Sequence, residues 1–301
     1  MTVVTLNKMK RVCKRKVEID ALTVCLQVVN DYHYNNIIAL DYGEVYELED
    51  FNLVRITGRY YNNIYSILYY DGEKEQEFGV LKFNLGGGEN THTNGNHKVW
   101  ISLNNVILYS KDMSCLGYVS QMLGLEYHNI TTLDLCLDTP FQVGKTLKKH
   151  IRNKELVTIL NGKCVRDRAE DRPEITYTSS GDLDKDKYLT ITIKQRKALH
   201  DKHKGVTITT YDKVAEIKNS SHKQYILDYY ANPRNLFRTE VHLNHADIKD
   251  YLNTKDADIN VFMFDETLLE DMFFYHLNNV IYFKRGRKDY ITWEELLGRC
   301  A

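Results

Sequence analysis

The chain has 301 residues, 43% of them hydrophobic and 27% charged, which suits one large globular domain or two small ones. No run approaches the roughly 20 apolar residues of a membrane helix, and the basic start MTVVTLNKMKRVCKRK lacks the apolar segment of a secretory signal, so a cytoplasmic protein with no membrane partner is expected. A formal net charge of −1 excludes attraction of the whole molecule to a polyanion, and any basic face has to be local.

Roughly the first hundred residues read as strands and turns. The segments VEIDALTVCLQVV, NNIIALDY, FNLVRITGRY, NIYSILYYDG and FGVLKFNL are rich in Val, Ile, Tyr and Phe and are separated by polar turns, which predicts an antiparallel meander. GGGENTHTNGNH reads as a flexible loop, and KVWISLNNVILYS resumes as a strand or a hairpin bending at Asn104 and Asn105. From Ser110 the period changes: Ser110 can cap a helix whose Met113, Leu116, Val119 and Leu123 recur at helical spacing and which ends near Gly124.

The strand TTLDLCLD follows, and then a helix from about Phe141 with Val143, Leu147 and Ile151 on one face. Residues 163–188 are polar and read as a surface loop. YLTITIKQRK and GVTITTYDKV alternate as paired strands, a helix fits at 221–232 before Pro233, and LFRTEVHL is a strand. Beyond Asn244 the pattern is mostly helical and carries KRGRK at 284–288. The expected fold is α+β: an antiparallel, sheet-rich catalytic domain with flanking helices over residues 1–245, and a helical C-terminal tail over 246–301 that could bind DNA. Tyrosine, at 22 residues against 10 phenylalanines and 3 prolines, fits sheet surfaces with polar aromatic tips.

Three strands each set polar side chains on one face, because residues two apart in a strand point the same way. Asp134, Cys136 and Asp138 oppose Leu133, Leu135 and Leu137. The two carboxylates, about 7 Å apart along the strand, can offer oxygen to a hard divalent cation. Arg238, Glu240 and His242 share a second face, and Thr209, Tyr211 and Lys213 a third, with Glu216 just beyond. A solvent-facing side of a half-buried sheet also produces such alternation. The combination is what points to chemistry: acids for a metal, a phenol for attack and cations for phosphate are what covalent phosphodiester cleavage needs.

Six cysteines without a Cys-x-x-Cys pair indicate reduced thiols rather than a disulfide framework or a cysteine zinc site. VGKT at 143–146 lacks the upstream glycine of a nucleotide-binding loop, since that position is Thr139. HDKH at 200–203 and HLNH at 242–245 have no companion cysteines for zinc.

In these residues the chain resembles the replication initiation factors of rolling-circle plasmids and related phages and mobile elements, the Rep-trans type. Members of that family share a strand R-x-D-x-x-x-D, a strand ending Y-[DN]-K-x-x-E and a later strand R-x-E. This chain reads TLDLCLD at 132–138, YDKVAE at 211–216 and FRTE at 237–240, in that order. VEIDALTV, with Asp20, resembles the opening strand, and YTSSG at 177–181 resembles the stretch before the tyrosine strand, so the likeness spans roughly residues 17–243. Thr132 stands where the family has arginine.

The resemblance implies that Tyr211 attacks the DNA backbone, with Lys213 and Arg238 as the cations that favour the phenolate. Asp134 and Glu240, with Asp138, would hold Mg²⁺ or Mn²⁺. His242 would carry protons, ligate the metal or serve as an ordinary hydrogen-bonded histidine, and Glu216 closes the tyrosine motif. Nicking one strand would leave a 5′-phosphotyrosyl link and a free 3′-hydroxyl primer. Expected partners are origin DNA, both duplex and exposed single strand, a host helicase and polymerase, and a second copy of the chain in a homodimer. Lys194, Arg196 and Lys197 in one turn, and Lys284, Arg285 and Arg287 in another, are candidate phosphate contacts or solvated faces. Alternatives left open are a mobilisation relaxase with the same chemistry, an origin-binding protein that does not cut, and a sheet-rich phage structural protein.

Overall fold

The computed structural model describes residues 16–30, 32–58, 61–70, 75–83, 98–110, 114–165, 169–178, 188–195, 205–257, 265–287 and 289–298. The chain falls into two compact units, residues 20–133 and residues 1–19 with 134–301. Both mix helices with antiparallel sheet, so the fold is α+β.

In the unit of residues 20–133, six strands form a meander: β1 (Val17–Val28, whose first three residues count with the other unit), β2 (Val45–Glu47), β3 (Phe51–Arg55), β4 (Asn63–Tyr70), β5 (Glu75–Phe83) and β6 (Lys98–Leu103). They pair antiparallel in the order β1, β6, β5, β4, β3, β2. Alternation puts Leu22, Val24 and Leu26 of β1 in the core with Leu53, Ile67, Leu81 and Ile101. The β4–β5 register shifts at Ile67 and Leu68, and β5 carries Gly79 opposite Leu103 there. A side chain at Gly79 would overlap the carbonyl oxygen of Ser102, so the close approach of β5 and β6 requires glycine.

Helices α1 (Tyr32–Ile38), α2 (Asn105–Ser110) and α3 (Ser114–Met122) complete the unit, and β7 (Leu125–Thr139) begins in it. Two segments with strand-like composition are helical instead. The first half of NNIIALDY falls in α1, whose first amide, Tyr32 N–H, donates to Asn30 Oδ1 at 3.0 Å. The second arm of KVWISLNNVILYS is α2, where Asn104 Oδ1 accepts Val106 N–H at 3.1 Å. In both places an asparagine carbonyl satisfies a helix-start donor and overrides the β preference of the Val, Ile and Tyr that follow. Ser110 ends α2, donating to Ile107 O, rather than capping α3; Leu116, Val119 and Leu123 are buried as the helical spacing predicts, and Met113 lies outside the described residues.

The other unit takes β7 from Asp134 onward and adds α4 (Val143–Arg152), β8 (Val157–Leu160), β9 (Lys163–Val165), β10 (Ile175–Thr178), β11 (Thr190–Lys194), β12 (Thr207–Asp212), α5 (Lys213–Glu216), α6 (Gln224–Tyr229) and β13 (Phe237–Asn244). The polar stretch read as loop thus contains β9, a 3-10 turn at Ala169–Asp171 and β10. Its short strands, with one or two apolar residues each, carry too little pattern to stand out in sequence. The main sheet here runs β10, β11, β12, β13, β7, and β10–β11, β11–β12 and β12–β13 pair antiparallel. Leu135, Leu137, Ile191, Ile193, Ile208 and Val241 are fully buried on one face, and α4 supplies Leu147 and Ile151 to the same core.

Beyond Asn244 come α7 (His245–Lys255), α8 (Glu266–Val280) and α9 (Trp293–Leu296). Asn244 and Asp247 form a reciprocal capping box at the start of α7. Between α8 and α9, β14 (Ile281–Arg285) and β15 (Asp289–Ile291) make a hairpin, and β14 pairs with β8 in a second sheet ordered β15, β14, β8, β9. The C-terminal residues therefore combine helices with a hairpin and belong to the same compact unit as residues 134–245.

Candidate active site

Adjacent antiparallel strands present directly opposed residues on one side of the sheet. Across β12 and β13, Tyr211 opposes Arg238, Thr209 opposes Glu240 and Thr207 opposes His242; across β11 and β12, Thr192 opposes Thr209 and Lys194 opposes Thr207. One face of the sheet thus collects a phenol, a carboxylate, an imidazole, an ammonium and a lattice of threonines.

Tyr211 is half-buried and lines an open groove of about 650 Å³ with Tyr188, Thr190, Thr209, Glu216 and Asn219. Its hydroxyl donates to Glu240 Oε2 at 2.9 Å, and Lys213 Nζ donates to the phenolic oxygen at 3.5 Å. The phenol therefore has an acceptor for its proton on one side and an ammonium on the other, the arrangement an attacking oxygen needs.

The motif Tyr-Asp-Lys-x-x-Glu has a local physical reason. Asp212 caps α5, its carboxylate accepting Ala215 N–H at 2.9 Å, so the chain turns immediately after the strand. That turn brings Lys213, only 3% exposed, back beneath Tyr211, and the helix sets Glu216 one turn on, where Lys213 Nζ meets Glu216 Oε2 at 2.9 Å. Lys213 is therefore a buried, ion-paired cation rather than a side chain extended along the strand.

The remaining expected residues divide into two pairs. Arg238 Nε donates to Asp138 Oδ1 at 2.8 Å and Arg238 Nη2 to Asp138 Oδ2 at 2.6 Å, a two-pronged pair with both residues buried. Cys136, between the two aspartates, is also fully buried, so the polar face of β7 is open only near Asp134. Tyr230 is packed close by, and burial, with the Asp138 charge second, pushes its phenol well above the ordinary value. His242 Nδ1 meets Asp134 Oδ1, and that hydrogen bond raises the imidazole pKa against an opposing effect of burial. The two contacts join β7 to the neighbouring β13, four residues apart on each strand.

Of the three carboxylates expected to hold a metal, Asp138 has both oxygens bonded to Arg238 inside the protein. Asp134 and Glu240 remain partly open on the Tyr211 face. Among the described residues no three His, Cys, Asp or Glu side chains converge as a metal cage. The donor chemistry still fits Mg²⁺ or Mn²⁺, since such ions are commonly bound by one or two carboxylates, with substrate phosphate and water completing the shell.

Lys194 is exposed on the Tyr211 face in register with His242 through Thr207, whereas Arg196 and Lys197 lie outside the described residues. Lys284, Arg285 and Arg287 belong to the β14–β15 hairpin of the second sheet. There Arg285 pairs with Asp289 at 3.5 Å and Lys284 lies over the Tyr290 ring at 5.1 Å. Sequence reasoning missed the capping role of Asp212 and the groove residues Tyr188 and Thr190. The alternating threonines of YLTITIK and VTITTYD were the available signal for a shared polar face.

Comparison of the chain with protein-family models, with curated proteins and with solved structures returned no match.

Proposed function

We propose that the protein nicks one strand of an origin DNA through Tyr211 and so initiates rolling-circle replication. The observation that carries this reading is the phenol of Tyr211 opening on a groove while its hydroxyl is held between Glu240 and Lys213. The order of the motifs around Tyr211, Asp134 and Glu240, and their resemblance to Rep-trans initiators, support the same reading.

In the reaction, Tyr211 Oη attacks the scissile phosphorus and its proton passes to Glu240. The bond from phosphorus to the 3′-oxygen breaks, and that oxygen takes a proton from water to become the primer hydroxyl. The DNA 5′ end stays on the tyrosine, and the conserved phosphodiester energy permits rejoining without a nucleotide cofactor. Lys213 steadies charge on the phenolic oxygen, while Arg238 holds β13 in place through Asp138 rather than meeting the DNA. A bound Mg²⁺ or Mn²⁺, held by Asp134 and Glu240, would supply Lewis acidity at the scissile phosphate. His242 and Lys194, exposed on the same face, are placed to meet phosphates of the incoming strand.

The setting is a cytoplasmic replicon with a host helicase and polymerase acting on the exposed strand and primer. Supercoiled plasmid bearing the replicon's origin, incubated with Mg²⁺ and either wild type or Tyr211→Phe, tests the reading. Open circles carrying protein at a 5′ end with wild type only support it. A relaxase would instead cut a transfer origin, and an origin-binding protein without activity would leave both reactions supercoiled.

A further inference from the structure

We propose that the polar face of the β1–β6–β5 sheet in residues 20–133 is a stacking platform for unpaired DNA, centred on Trp100 and flanked by Lys82 and Lys98. This rests on the reading above and names the form of substrate the protein holds. It draws on residues that the tyrosine chemistry does not use.

The face is set by register. Trp100 opposes Cys25 on β1 and Lys82 on β5, while Lys98 opposes Gln27 and Ser102 opposes Thr23. Trp100, Lys98 and Ser102 lie two residues apart on β6 and so point the same way, spaced by about 7 Å. That step is close to the phosphate repeat of an extended single strand. The opposite face carries Val24, Leu26, Val99, Ile101 and Leu81, all buried, so the core lies behind the strands and the polar side chains stand in front.

Two kinds of group meet there. The rings of Tyr61 and Trp100 lie with centroids 6.1 Å apart, both partly buried. Lys82 Nζ sits 5.6 Å above the Tyr61 ring and donates to Ser102 Oγ at 2.7 Å, and Ser102 Oγ is 2.9 Å from Thr23 Oγ1. Lys98 Nζ is 2.8 Å from His128 Nε2. Among the described residues neither lysine has a carboxylate partner, and Glu77 of β5 is engaged by Ser66 and Asn104. Burial depresses the Lys82 ammonium, so an approaching anion would relieve an uncompensated charge.

Uncompensated cations beside partly exposed aromatic rings match a nucleic acid whose bases are free to stack and whose phosphates can reach the lysines. A duplex keeps its base faces inside the helix and cannot use Trp100. In a chain of net charge −1, this pairing gives a local attraction that the total charge does not.

The test uses the full chain and an oligothymidylate of about 12 nucleotides, with a duplex of equal length beside it. The chain has two tryptophans, and Trp293 is fully buried, so quenching of emission reports on Trp100. The expected results are quenching by the single strand only and about tenfold or greater loss of affinity in Trp100→Ala. Trp100→Phe should keep binding and lose the quench. The double variant Lys82→Gln, Lys98→Gln should flatten the slope of log affinity against log salt by about 1.4, from roughly 0.7 per phosphate contact on a single strand. Heat unfolding checks that each variant is folded, and the lysine pair stands as the test if Trp100→Ala is not.

Absence of quenching in the wild type, equal binding of duplex, or unchanged affinity and salt slope in the variants would overturn the platform. Covalent adduct formation is scored in parallel on cleavable DNA. Adduct formed by wild type and platform variants alike, with no quenching, sinks the platform and leaves the nicking reading intact. Quenching with no adduct does the reverse.

Discussion

The hydroxyl of Tyr211 donates to Glu240 Oε2 at 2.9 Å across the β12–β13 pair, although in register Tyr211 faces Arg238 and Glu240 faces Thr209. The bond is therefore diagonal, and it exists because Arg238 is drawn away into its buried pair with Asp138. Glu240→Gln keeps the shape of the acceptor but removes its capacity to take a proton. The expected outcome is a fall of about 10² or more in the single-turnover rate of adduct formation. Rapid-quench measurement of adduct against time at saturating DNA checks it.

The Asp138–Arg238 pair is buried on both sides, and removing one partner strands the other charge without water. Arg238→Met is expected to destabilise the protein by about 3–5 kcal/mol. The double variant Asp138→Leu, Arg238→Met should recover a large part of that loss. Urea unfolding of the two single variants and the double one measures the coupling.

Much of the site's strand framework was legible in sequence, including the pairing of β11 with β12, whereas the placing of β13 beside β12 and of β7 beside β13 was not. Strict alternation in LDLCLD, TITTYD and FRTEVHL revealed three strands with polar faces, and the helical spacing of Val143, Leu147 and Ile151 revealed α4. Alternation says which residues share a face of one strand and nothing about which strand lies beside it. Hence Asp138 and Glu240 read as equivalent acids, whereas Arg238 binds the one and Tyr211 the other. Lys213 was legible as a neighbour of the phenol, but its burial and its pairing with Glu216 depend on the turn that Asp212 caps. Short strands such as β9 and β10 and the asparagine-started helices α1 and α2 escaped because three to seven residues carry too little periodicity to outweigh local side-chain bonds.

Gly79 is fixed by contact rather than by turn geometry. Gly79→Ala would force a methyl group onto the Ser102 carbonyl of β6, backbone that has no flexible end to move. A destabilisation of about 1–3 kcal/mol is expected, as for other overpacked interiors. Comparison of urea midpoints with wild type checks it, and Ser66→Ala, on the neighbouring strand, serves as a milder control.

Alkaline stability should depend on Tyr230. Burial raises its folded pKa well above the unfolded value of about 10. Stability from this group is therefore complete below pH ~10 and falls as pH rises above that value, because the unfolded chain ionises first. Tyr230→Phe removes the ionisable hydroxyl and should lose less stability than wild type between about pH 10 and 11.5. Urea unfolding at a series of alkaline pH values makes the comparison.

The most direct measurement of the central claim is the identity of the residue that carries DNA after cleavage. A pool of single-stranded oligonucleotides is incubated with the protein and Mn²⁺, the denaturant-resistant adduct is digested with trypsin and nuclease, and the modified peptide is sequenced by mass spectrometry. The expected result is a 5′-phosphonucleotide on Tyr211 and no adduct from Tyr211→Phe. An adduct on any other residue, or equal adduct from Tyr211→Phe, would contradict it.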